Sequence, residues 1–425
     1  MFRTLHPNIR IRIYTSFLSR TIGSMIFPFM AIYFTEALGA SWASTLLMAN
    51  VVIQFTASLY GGYLADQRGR KKMMVAGEFV KTIGFFGILI ANSPWWHSPW
   101  FTFAMITLLG ISSGMVNPAS EAMLIDVSTK KTRAFMYSIN YWAVNMSIMI
   151  GLIVGGWLFQ THFFELLIAL CAMSLVTFWI TSAFITETFV PGKKTTGAYG
   201  IKPIFQSYRT VIGDLPFVLF TLGGIALLSL EFQRNNFIAV RLEEEIIPKT
   251  YSFFANIHVT IDGVKLLSLL TIENTIIIVL FTAAVAKWLT GRKRRPLLYA
   301  GFLLFGSGYA ILAFSDHWLL LFFGVILLSV GELLYVPTRQ SLLADIIDDS
   351  RRGAYMAFNG FVFQIGKLFG ALGILAGEVI GGYGMGIAYI GFACLAVTFV
   401  HMALAKRFHQ KVAAPVKENA LSTKG

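Results

Sequence analysis

The sequence predicts an all-α membrane protein of twelve transmembrane helices in two six-helix halves. Three observations carry this. Of 425 residues, 56% are hydrophobic and only 13% charged, whereas a soluble domain holds about 25% charged residues. The apolar residues come in long runs near the roughly 20 residues a helix needs to cross a bilayer. These runs do not alternate, and backbone amides without water must bond within their own segment, so helices satisfy them better than a barrel. The Lys and Arg residues leave a net charge of +13. They gather in short loops between the runs, where they set topology rather than bind nucleic acid.

The first run, 12–37, follows the charged stretch Met1 to Arg12. No small-residue cleavage site follows it, so it reads as a span and not a removed leader. Five more runs occupy 44–66, 73–92, 101–124, 135–158 and 164–186. Glu187 to Pro216 holds Gly, Pro and Lys with little apolar periodicity and reads as a linker. The second set is 216–240, 265–286, 297–315, 318–342, 354–379 and 385–406, with Glu273 and Asn274 interrupting 265–286. The expected division is a bundle at 1–190, a linker at 191–215, a bundle at 216–408 and a tail at 409–425.

Alternate loops differ in charge. One set holds Arg68, Arg70, Lys71 and Lys72; Lys130, Lys131 and Arg133; Lys193, Lys194, Lys202 and Arg209; Arg292 to Arg295; and Arg351 with Arg352. The other set, Gly39 to Ala43, Asn92 to Trp100 and Ser315 to His317, holds almost none. Only Arg241 to Lys265 departs, and Glu243, Glu244 and Glu245 dilute it. Positive loops face the cytoplasm, so both termini are expected there, in the cell membrane. Trp95, Trp96 and Trp100 read as an interfacial belt.

The halves echo each other. NPASEAMLIDVSTKKTRAFMYSINYW aligns with VPTRQSLLADIIDDSRRGAYMAFNGF, pairing Pro118 with Pro337, Asp126 with Asp345, Arg133 with Arg352, Asn140 with Asn359 and Gly151 with Gly370. Every pair is 219 positions apart. A duplicated unit around a central site suits alternating access.

The loop after the second span reads G-x-L-A-D-x-x-G-R-K from Gly62 to Lys71, and KWLTGRKRR after the eighth repeats its basic part without the aspartate. Gly62 permits close helix approach and Gly69 a tight turn. Asp66 ends its span where a carboxylate can meet a helix N-terminus, and Arg70 can bridge Asp66 and Asp126. Gly62, Asp66, Gly69, Arg70, Lys71 and Asp126 are therefore expected to form a latch; the competing reading is a solvated topology signal.

This loop resembles the signature of the major facilitator superfamily. With INYWAVN (139–145), SLEFQ (229–233) and VGELLYVPTRQ (330–340), the chain most resembles its proton-coupled drug antiporters of the lactococcal type. The resemblance implies twelve helices, an amphiphilic, often cationic cargo exchanged for protons, and a proton-carrying role for Glu332, with Glu231 at a second acidic position and Asp66 in the signature loop. The sequence departs from that type at Asn140, where the group has a titratable aspartate.

A charge near the bilayer centre costs about 2.5–3.5 kcal/mol, so each marks a partner or a pathway. Glu332 carries a proton or pairs with Lys367. Glu231 serves the cavity or pairs with Arg234. Glu273 lines the cavity or tethers its helix, and Arg20 balances an acid, binds an anionic group or snorkels. Glu78 and Lys81, three apart, read as a self-neutralising pair. The expected cavity set is Arg20, Asn140, Tyr141, Trp142, Asn145, Glu231, Phe232, Glu273, Glu332, Asn359, Gln364 and Lys367. Gly151, Gly155 and Gly156 read as a close-packing face. Cys171 and Cys394 read as unpaired core residues.

No phosphate-binding G-x-x-x-x-G-K-[ST] and no His/Cys cluster occurs, so no cofactor, metal or catalytic role is expected. The expected partners are a small amphiphilic substrate, protons and membrane lipid, with a monomeric chain. The competing readings are an exporter or flippase of a lipid or metallophore, which Arg20 and Lys367 favour, and a non-transporting sensor.

Overall fold

The computed structural model describes residues 5–128, 130–188, 211–253, 257–289, 292–347 and 352–422. Among the described residues, thirteen α-helices dominate. In chain order α1 is Pro7–Ile26, α2 Met30–Leu38, α3 Ala40–Arg68, α4 Arg70–Ala91, α5 Pro99–Val127, α6 Lys130–Leu158 and α7 Phe163–Phe184. Then come α8 Leu215–Glu231, α9 Phe237–Glu245, α10 Gly263–Leu289, α11 Arg294–Phe314, α12 Trp318–Ile346 and α13 Arg352–Ser422. Among the described residues nine helical segments are long and apolar enough to cross a membrane, and Trp142–Leu158 and Leu215–Glu231 are shorter apolar helices. One of the nine, Val362–Arg407, spans 46 residues, or about 70 Å at 1.5 Å per residue, enough for two crossings. Twelve crossings result.

Two expected spans are shaped differently from a plain rod, and the last two meet at a sharp kink. The first is broken by a 3₁₀ turn, Phe27–Phe29, because Pro28 has no amide hydrogen to continue the ladder. The seventh stops at Glu231 and resumes at Phe237. In the break the amides of Gln233 and Arg234 bond back to Leu230 and Glu231 at 3.0 and 3.4 Å, and Asn236 leaves helical geometry (φ −125, ψ −103). Two successive asparagines compete with the helix for backbone bonds there. The last two spans are two helices joined directly at Gly381, whose backbone is not helical (φ 66, ψ 178), a conformation open to glycine; α13 denotes the pair.

Two small antiparallel pairs join the helices. β1, Asn92–Ser93, pairs with β2, Trp96–His97, and β3, Lys249–Phe253, pairs with β4, Ile257–Ile261. The β3 and β4 sequences, KTYSF and IHVTI, are rich in the aromatic and β-branched residues that suit strands.

Met1–Lys194 and Asn235–Thr275 form one compact unit; Thr195–Arg234 and Ile276–Gly425 form the other. In the first, glycines set the helix contacts. A Cβ on Gly155 of α6 would stand 2.8 Å from Met25 Cα and Phe29 Cε2, and one on Gly151 would stand 2.7 Å from the Thr21 carbonyl. Gly61 of α3 is pressed against the Gly114–Met115 backbone of α5, and Gly156 against Ser268 of α10. Helix α9 packs against α2. In the second unit α8 lies along α13, with Gly223 against Val400 and Ala396 and Gly366 against Leu228 and Phe232. Small residues bring backbones together where no hydrophobic drive acts between helices. Trp95, Trp96 and Trp100 are exposed, as an interfacial belt requires.

Candidate functional site

Two clusters in the first unit and one in the second gather the polar residues. The first surrounds the α3–α4 turn. Gly69 makes it with φ 107, and a Cβ there would collide with the Glu187 carboxylate. That carboxylate accepts from the Arg70 amide at 2.9 Å and the Lys71 amide at 3.1 Å, capping the N-terminus of α4 where the helix dipole favours negative charge. Arg70 Nη1 donates to the Ala65 carbonyl at 2.9 Å, and its Nε lies 3.5 Å from Asp126 Oδ2. Thr188 Oγ1 lies 3.3 Å from the same oxygen. The structure thus brings Gly69, Arg70, Lys71 and Asp126 together. The surroundings of Gly62 and the side chains of Asp66 and Tyr141 lie outside what is described. Glu187 went unread because it stands at the start of the apparent linker; an acid just after a span, opposite a basic turn, was its signal.

The second cluster is buried. Glu78, 1% exposed, is ion-paired with Lys81 and accepts from Thr177 Oγ1 of α7 at 2.9 Å. Lys81 Nζ also donates to Ser19 Oγ at 2.9 Å. Arg12, itself buried, adds a second positive charge that acts on Glu78. Arg20 is exposed, and Glu121 is the acid that acts on it. Asn140 and Asn145 are half-buried, and Trp142 is 57% exposed. Glu273 on α10 is half-buried, and its Oε2 is buried without a hydrogen-bond partner among the described residues.

The third cluster forms the interior of the second unit. Glu231 closes α8, and the broken seventh span turns Arg234 back beside it. Glu231, Arg234 and Glu332 lie close enough for their charges to influence one another, with Tyr309 and Tyr335 in the same field. Tyr309 Oη lies 3.5 Å from the Glu231 carbonyl. Phe305 lies between the two tyrosines, tilted against Tyr309 with centroids 4.8 Å apart and edge to face with Tyr335 at 5.1 Å. Gln233 Nε2 donates to the Phe369 carbonyl at 2.9 Å, which anchors the break to α13. Phe232 meets Phe363 edge to face at 5.0 Å, and Lys367 Nζ stands 4.9 Å over the Phe363 ring. Asn359 Oδ1 and Gln364 Oε1 are buried without hydrogen-bond partners among the described residues. Among the expected residues, Glu231, Phe232, Glu332, Asn359, Gln364 and Lys367 therefore share this unit. Sequence reading passed over Tyr309 and Tyr335, which look like ordinary span aromatics.

The Major Facilitator Superfamily profile matches residues 13–239 and 250–423. The chain belongs to this superfamily. Like other members it is a multi-pass membrane transporter. It is 29% identical to a Na(+), Li(+), K(+)/H(+) antiporter of Planococcus maritimus over 419 residues, covering 96% of this chain and 98% of that protein. It is 25% identical to the multidrug resistance protein MdtH of Salmonella arizonae over 356 residues, covering 82% and 80%. Among solved structures, a POT family transporter in complex with a thioalcohol-conjugated peptide superposes with a TM-score of 0.71 at 15% identity, over 97% of this chain and 99% of that one. The nucleoside transporter NupG superposes at 0.69 and 14% identity, over 94% and 99%. At such identities these two structures establish the superfamily fold alone.

Proposed function

We propose that the protein is a proton-coupled antiporter that exports amphiphilic, cationic compounds across the cell membrane. The observation that carries this reading is the Glu231–Arg234–Glu332 constellation. Two carboxylates share one arginine in an interior where uncompensated charge is costly. One negative charge is balanced by Arg234. The other is balanced by a proton or by a cationic cargo, and binding of one displaces the other. Exchange follows from that competition. Tyr309, Phe305 and Tyr335 add rings beside the acids, suited to the apolar part of such a cargo. The working division is two six-helix halves, 1–190 and 216–408, with both termini cytoplasmic and the chain a monomer. The Gly62–Lys71 loop with Asp126 serves as the latch that alternates between states, with Asp66 at its centre. The drive is the proton gradient and membrane potential, about 2.3 kcal/mol per charge per 100 mV.

A second reading is alkali cation/proton exchange at the same acids. The Planococcus maritimus antiporter, aligned over 98% of its length, favours it. Everted vesicles carrying a respiration-driven pH gradient separate the two. Ethidium should dissipate the gradient in wild type and fail to do so in Glu332→Gln. Dissipation by Na⁺, Li⁺ or K⁺ alone would select the second reading, and dissipation by neither would sink both.

A further inference from the structure

We propose that Arg339 anchors an oxyanion-binding site in the second unit, for a carboxylate or phosphate group. Arg339 lies on α12, and its guanidinium is pressed against Gly224 of α8. A Cβ on Gly224 would overlap Nη2 and stand 2.8 Å from Cζ, so the glycine makes the space the guanidinium occupies. Nε and Nη2 are buried and have no hydrogen-bond partner among the described residues. The Phe220 ring lies 5.5 Å from Cζ. Among the described residues the titratable group that acts on Arg339 is Tyr335, which is neutral at ordinary pH.

The other interior arginines of this unit are compensated. Arg234 has Glu231 and Glu332. Arg407 Nη1 lies 3.8 Å from Asp214 Oδ2, and its Nη2 donates to the Ile346 carbonyl at 2.6 Å. Among the described residues, Arg339 alone of these three has a buried donor fork and no acid. A guanidinium left this way is unfavourable unless something accepts from it, and its planar fork fits two oxygens of one anion. The residue as a whole is half-buried, while the fork atoms Nε and Nη2 are themselves buried. Arg339 also follows Glu332 by seven residues, two helical turns or about 10 Å along the same face. A dipolar cargo with its cationic end at the acids and its oxyanion at Arg339 fits that spacing. An anionic lipid headgroup offers the same chemistry. The site goes beyond the antiport reading and does not depend on it.

The test uses the full-length purified protein without any pH gradient, so its failure leaves the antiport reading standing. Thermal unfolding is followed while inorganic phosphate or acetate is titrated against chloride at equal ionic strength, and again in nanodiscs with and without phosphatidylglycerol. The expected result is a saturable rise in Tm of about 3 °C or more, absent in Arg339→Gln and shifted at least about tenfold to higher concentration in Arg339→Lys and Gly224→Ala. Saturation by a soluble anion identifies cargo chemistry; a rise with phosphatidylglycerol alone identifies a headgroup. An unsaturable effect, or one equal in wild type and all recovered variants, overturns the proposal. If Arg339→Gln does not fold, Arg339→Lys and Gly224→Ala decide, since both keep the charge.

Discussion

Arg70 Nε stands 3.5 Å from Asp126 Oδ2, and the amides that open the same helix, those of Arg70 and Lys71, bond to Glu187. Two acids therefore hold one turn, by different means. The Arg70–Asp126 pair is partly exposed, with side chains at 15% and 37%, and such pairs contribute about 0–1 kcal/mol. A side-chain cap on a helix N-terminus contributes about 0.5–2 kcal/mol. Glu187→Ala should lower the unfolding temperature in detergent more than Asp126→Asn does. The reverse order would show that the ion pair, not the cap, organises the turn.

The Glu78–Lys81 pair lies in the interior of the first unit. Lys81→Met leaves a buried carboxylate with only Thr177 and the more distant Arg12 to compensate it. Breaking one side of a buried pair costs about 3–5 kcal/mol, so this variant should be recovered in much lower yield and melt early. The double variant Glu78→Gln/Lys81→Met should regain a large part of that loss. Equal stability of single and double variants would argue against a coupled pair.

Glu243 lies outside the spans and sets a pH dependence. Its carboxylate accepts from Gln160 Nε2 and from the Val264 amide, the latter at 3.0 Å. Burial pushes its pKa above the usual carboxylate value, and Asp262 and Glu36 on α2 add to the rise against those two hydrogen bonds. The folded state thus holds this proton more tightly than the unfolded state. Its contribution to stability is complete below the ordinary glutamate range and is lost as pH rises through the raised value. As pH rises above the ordinary glutamate range, Tm should fall less steeply in Glu243→Gln than in wild type. Parallel profiles would exclude Glu243 as the source.

Gly155 tests the glycine contacts. A methyl there meets Met25 and Phe29 of the first span at 2.8 Å, whereas one on Gly391 meets nothing within 4 Å. Gly155→Ala should cost about 1–3 kcal/mol through overpacking, and Gly391→Ala should be close to neutral. The comparison is read from thermal unfolding of the two variants side by side.

Much of the fold was legible because hydropathy is a local property. Each run of about 20 apolar residues announces its own crossing, and loop lysines and arginines number the runs. The breaks at Pro28 and Asn235–Asn236 were also present as residues, but their effect depends on backbone bonds that a hydropathy profile averages away. Glu78 with Lys81 could be read because three residues along a helix fix a distance. Glu187 could not, since its partners are more than a hundred positions distant in the chain.

The sequence by itself determined a membrane-spanning helical transporter: its class, its crossings and the acids placed within them. The tertiary structure decided which of those charges meet. The break after Glu231 brings Arg234 into the field of both Glu231 and Glu332, and Arg339 fits against Gly224 because that glycine has no side chain where the guanidinium lies. Burial of a run is a sum over neighbours in the chain, whereas the interaction of two charges depends on a distance across helices, and only packing sets that distance.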